Sequence, residues 1–99
     1  MSTKIEDESW VWVVVQKTDI QEEIVGQHYE KENISFIPAF LKKDDAQNAY
    51  KKMALAPGIT VEIQTIRLKH LKIEASQNGF LIFIINENME IIDKISPDL

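Results

Sequence analysis

Two runs of six consecutive apolar residues, WVWVVV at 10–15 and FLIFII at 80–85, constrain this chain more than any other feature. Both are rich in β-branched and aromatic residues and lack a 3.6-residue rhythm, so both read as strands. They are far too short for the ~20 apolar residues of a membrane-spanning helix. Successive side chains of a strand point to opposite faces, which sets Trp10, Trp12 and Val14 on one side and Val11, Val13 and Val15 on the other. A strand apolar on both sides needs cover on both.

The remaining periodicities supply what the runs pack against. Residues 10–16 form the first strand, 17–21 a polar turn, and 23–29 a second strand with Gly26 as a candidate bulge. Residues 34–41 alternate as a third strand, in which Pro38 lacks a backbone donor and implies a sheet edge or a local exit from the ladder. At 44–55 the period changes: Ala46, Ala49, Tyr50 and Met53 make one helical stripe, Asp44 and Asp45 complement the dipole of the first turn, and Pro57-Gly58 stop the helix. Residues 59–64 alternate as a half-buried strand with Ile59, Val61 and Ile63 inward. A second helix spans 68–77 with Leu68, Leu71 and Ala75 inward and Asn78-Gly79 as a left-handed stop. The strand at 80–85 then turns through Asn86-Glu87-Asn88 into a last strand at 89–95.

The expected fold is therefore α+β, a single mixed β-sheet with two helices in the order β-β-β-α-β-α-β-β. With both helices expected on one side of the sheet, the other face stays open in water at a cost of roughly 25 cal/mol per Å². A homodimer closing that face or an adjoining edge is the expected remedy, with Trp10, Trp12, Val14 and Phe80 as interface candidates.

Ninety-nine residues suffice for one core and not for two. We expect a flexible polar tail over 1–8 and a single domain over 9–99. The chain has no cysteine, which removes disulfides, thiolate nucleophiles and cysteine metal sites, and the acidic N-terminus does not resemble a secretory signal. Sixteen acidic and eleven basic residues leave a net charge of −5, with the cations dispersed. Phosphate backbones and anionic membranes require clustered positive charge, so neither nucleic acid nor membrane is an expected partner. The expected location is the cytoplasm.

Chemical signatures are sparse. His28 and His70 lie on a strand and a helix without a His-x-x-x-His or His-plus-carboxylate spacing, so no metal and no cofactor is expected. Neighbouring carboxylates such as Asp44 and Asp45 work as acid and base only when burial separates their proton affinities, and here they read as solvated charges. Gly26, Gly58 and Gly79 are too scattered for a phosphate or dinucleotide loop, and no serine stands in a Gly-x-Ser-x-Gly elbow. Lys42-Lys43 and Lys51-Lys52 bracket the first helix and read as ordinary solubilising charge, with an acidic partner as the alternative.

The stretch Ile37-Pro38-Ala39-Phe40-Leu41-Lys42-Lys43-Asp44-Asp45-Ala46 resembles the strand-to-helix signature of bacterial SseB-like domains, where Pro and Phe end a strand and an acidic turn followed by Ala opens a helix. A second similarity covers residues 68–92, where a Leu-rich helix leads through Ala75 and Asn78-Gly79-Phe80 into an apolar strand and a terminal hairpin. Leu41-Lys42 stands where that family has Thr-Ser, so a helix-capping hydroxyl is missing. The resemblance implies a small α+β or α/β domain, in some members linked to secretion or protein handling, with no catalytic residues to transfer. The functional expectation is a non-catalytic protein-interaction or adaptor domain, homodimeric through a sheet face or edge. The competing expectation is a small-molecule sensor or enzyme with a helix–sheet pocket around His28 and His70.

Overall fold

A computed structural model describes residues 5–53 and 58–97. Among the described residues nine elements follow in order: β1 (Trp10–Lys17), β2 (Glu22–Ile24), β3 (Gln27–Tyr29), β4 (Ile34–Phe40), α1 (Lys43–Tyr50), β5 (Thr60–Arg67), α2 (Leu68–Asn78), β6 (Leu81–Ile85) and β7 (Ile91–Ile95). All strands join one mixed sheet whose long strands run β5-β1-β4-β6-β7. Among the described residues only the β4–β6 pair is parallel. The α+β class and the order of elements are those read from the sequence, with the expected second strand divided into β2 and β3.

That division follows from how β1 and β4 diverge. They pair directly only at Trp12↔Phe40 and Val13↔Ala39. Beyond this point β2 continues the edge of β1, from Val15↔Ile24 to Lys17↔Glu22, and β3 continues the edge of β4, from Gln27↔Phe36 to Tyr29↔Ile34. The chain changes partner at Val25-Gly26, where the Val25 N–H still donates to the Val14 carbonyl at 2.8 Å. A Cβ at Gly26 would lie 2.7 Å from the Phe80 ring, so a close approach rather than an unusual backbone angle calls for glycine here. Pro38 sits within β4 in register with Phe83 of β6, beside the place where β4 leaves β3 and meets β1.

The helices lie on opposite faces of the sheet, which corrects the expectation that both share one side. Leu68, Leu71 and Ala75 of α2 pack with Val11, Val13, Val15, Ile37, Ala39, Ile82 and Ile84. Ala46 and Ala49 of α1, with Met53 beyond it, pack with Val14, Phe36, Phe40, Phe83 and Ile85 on the reverse side, where Phe36 stacks on Phe83 at 4.4 Å. The physical reason is chirality. Strands β4, β5 and β6 all point the same way; the α1 crossover steps outward from β4 across β1 to β5, and the α2 crossover steps back to β6. Two right-handed crossovers made in opposite directions put their helices on opposite faces. The inner residues of both doubly apolar runs are thereby enclosed in one chain: Val11, Val13, Val14, Phe83 and Ile84 are at most 1% exposed.

Helix ends show local sequence at work. The Gly79 N–H donates to the Ser76 carbonyl and the Phe80 N–H to the Ala75 carbonyl, with Gly79 at φ +71°, a Schellman stop at the expected Asn78-Gly79. Helix α1 is shorter than the expected 44–55: it gives way after Tyr50 to tighter bonds, Lys52 N–H to the Ala49 carbonyl and Met53 N–H to the Tyr50 carbonyl. The stop assigned to Pro57 lies outside the described residues. Helix α2 lacks a side-chain cap, and its first N–H groups are satisfied from a distance: Leu68 donates to the Ser9 carbonyl and Lys69 to the Asp7 carbonyl, both at 2.9 Å. The described part of the acidic N-terminus, expected to fray, is thus laid against α2, where Asp7 pairs with Lys72 and Glu8 with Lys69 and Arg67. Ile5 packs on the α2-side core.

Candidate functional site

Two places combine exposure with distinctive chemistry, one on each face. The first lies on the α1 side, where β1 and β5 extend past the helix. Helix α1 begins just after β4 ends, beside Trp12, and runs away from the start of β1. Trp12 is half-buried between Phe40 of β4 and Thr65 of β5, and Trp10, two residues nearer the strand end, is 54% exposed. Each indole carries a cation. The Arg67 guanidinium lies 4.6 Å from the Trp10 ring centre, and the Lys43 ammonium 5.8 Å from that of Trp12, both within cation–π range. Arg67 is also held by Glu8 at 2.7 Å. Hydrogen bonding from Lys69, and then its charge, holds the Glu8 carboxyl below its ordinary value of 4.5, with Arg67 adding to the effect.

Of the four residues expected at an interface, only the two tryptophans occupy this patch. Val14 lies beneath α1 with no exposed surface and cannot form an interface, because the helix expected on the far side covers it. Phe80 is half-buried on the opposite face, its ring over Gly26.

The second place is a half-open cleft of about 790 Å³ between the β2–β3 bend and the C-terminal half of α2. Ile24, Ile37 and Phe80 give it an apolar lining, with Glu22, Glu23, His28, Ser35, Glu74 and Asn78 around them. His28 stands across from Ser35 in the β3–β4 ladder. His70, in the first turn of α2, is exposed and does not line the cleft, so the two histidines do not form one site. Glu74 and Asn78 were missed by sequence reasoning. Their only signal is the i, i+4 spacing on the polar side of α2, which any solvated helix shares.

Among the described residues no polar or charged side chain is fully buried, and no group of three or more His, Asp or Glu side chains is placed to hold a metal ion. Among the same residues no helix is long and apolar enough to cross a membrane. No protein-family model, no curated protein and no solved structure matches the chain.

Proposed function

We propose that the chain is a non-catalytic protein-interaction domain that assembles as a homodimer in the cytoplasm, with the Trp10–Trp12 end of the α1 face as part of its contact surface. The observation carrying this reading is the half-exposed Trp10 indole, stacked by Arg67 and next to Trp12. Large amphipathic rings bury much area at low conformational cost, which is why tryptophan and arginine concentrate at binding hot spots. The reading no longer needs an uncovered sheet face, because both faces are covered; it rests on a patch at the end of one of them. Kinship with SseB-like domains belongs to the same proposal and rests on the β4–α1 junction, where Pro38 and Phe40 precede the acidic first turn of α1.

Sedimentation of Trp10→Ala tests the reading. Loss of assembly with an unchanged circular dichroism spectrum supports it, and a wild-type chain that stays monomeric across micromolar concentrations counts against the dimer. His28→Ala and His70→Ala leave assembly unchanged on this reading. The cleft favours a second reading, a small-molecule sensor, now centred on His28 without His70. A thermal-shift response to a metabolite that disappears in His28→Ala would select it over the first.

A further inference from the structure

The two outer edges of the sheet are built differently. Edge strand β7 is guarded. It has five residues, an irregular register against β6 at Ile84/Ile85, adjacent charges at Asp93 and Lys94, and a proline at 97 just beyond its end. Short length, a bulge, charge and proline are the devices by which natural sheets refuse further strands. Edge strand β5 has none of the first, second and fourth. It keeps eight residues in unbroken antiparallel register with β1, from Trp10↔Arg67 to Lys17↔Thr60, without proline or bulge, and among the described residues only β1 pairs with it. Thr60, Val61, Ile63, Thr65 and Ile66 are β-branched, and none of the eight residues is fully buried.

The third device, charge, is spent within the chain. Glu62 is held by Lys17 at 2.7 Å and accepts a hydrogen bond from the Gln64 amide at 2.9 Å, and Arg67 is held by Glu8. No like-charge pair remains to repel an incoming strand.

We infer that β5 pairs antiparallel with β5 of a second copy, about a two-fold axis passing between the two copies of Ile63, joining two sheets edge to edge. The inference rests on the dimeric reading above and adds its surface and register. The register follows from alternation. A two-fold perpendicular to a continuous sheet keeps each face on its own side, so paired positions must come from the same face of the strand, and the axis must stand level with a residue rather than midway between two successive ones. With the axis at Ile63, Ile63 faces Ile63, Val61 faces Thr65, Thr60 faces Ile66, and Glu62 faces Gln64, the amide it already accepts from within its own strand. With the axis at Gln64, Glu62 would face Ile66, leaving a carboxylate against an aliphatic, while Arg67 faces an aliphatic in either register. The chosen register also brings Ile59 of the second copy level with Arg67, on the side of the Trp10 patch.

The chain has no cysteine, so single substitutions report cleanly. Facing strand residues stand about 4.5–5.5 Å apart between Cα atoms, within the span of roughly 4.4–6.8 Å that a disulfide accepts. Under mild oxidation Ile63→Cys is expected to form a covalent dimer, Thr65→Cys alone is not, and an equimolar mixture of Val61→Cys and Thr65→Cys is expected to cross-link as a heterodimer. Because Ile63 is half-buried, Ile63→Lys and Ile63→Glu provide a second arm. Each alone is expected to sediment as a monomer with its circular dichroism spectrum retained, and their mixture is expected to recover the dimer. Equal cross-linking of Ile63→Cys and Thr65→Cys would overturn the register. A dimer lost in Trp10→Ala but indifferent to the charges at 63 would overturn the β5 pairing while leaving the interaction reading intact; a monomer at every concentration would overturn both.

Discussion

A methyl group on Gly26 would sit 2.7 Å from one edge of the Phe80 ring and 3.2 Å from its tip, closer than atoms pack. Gly26→Ala should therefore destabilise by about 1–3 kcal/mol, the usual range for overpacking. The loss should shrink in a Phe80→Leu background, and urea denaturation of the four-member cycle measures the difference. Exposed ion pairs act on a smaller scale and through pH. Glu62 is held below its ordinary value of 4.5 by the hydrogen bond from Lys17 and then by that from Gln64, and Glu8 is lowered by Lys69. A depressed carboxylate contributes above its unfolded value and loses that contribution as pH falls through the folded one. Lys17 is raised above 10.5, first by Glu62 and then by Glu22, so its contribution is whole below 10.5 and fades as pH rises through the folded value. Thermal midpoints should decline below pH 4.5, less steeply in Glu62→Gln and less steeply in high salt, because these groups are screened by solvent.

Of the two helices, α1 is the shorter. It has eight residues, begins at Lys42 with no side-chain cap, and carries no basic residue in its last turn. The capping hydroxyl missed in the sequence is missing in the structure. Lys42→Ser should raise stability by about 0.5–1 kcal/mol, read from the thermal or urea midpoint, because a serine oxygen can accept an N–H of the first turn. Helix α2 was legible to within a residue, since its apolar stripe and its Asn78-Gly79 stop are both local. The division of the second strand was only half legible. Gly26 marked an irregularity, but the cause is a ring arriving from Phe80, 54 positions along the chain, and no local pattern carries that. The same holds for the cap on α2: Asp7 and Ser9 read as tail residues until the fold brings them against Leu68 and Lys69.

At the scale of the whole molecule, β1 is the first strand in sequence yet lies inside the sheet, and it waits for β5, some fifty residues later, to complete its outer edge. Non-local pairing of this kind is slow to form and gives partial chains little to hold. A fragment ending at Ile59 keeps β1 to β4 and α1 but lacks β5, α2 and β6, so it should show no cooperative melting transition by circular dichroism. The candidate site divided in the same way. Trp10 and Trp12 were visible as amphipathic rings on one strand face, whereas the separation of His28 from His70, the burial of Val14 and the gathering of Glu74 and Asn78 at a cleft depend on which face each helix covers.

By itself the sequence determined the type and order of the elements and the need to cover two apolar strands from both sides, because side-chain periodicity and turn chemistry act over a few residues. Only the tertiary structure decided that a single chain meets that need. The strand order sends its two crossovers in opposite directions, and their shared right-handedness then carries α1 and α2 to opposite faces.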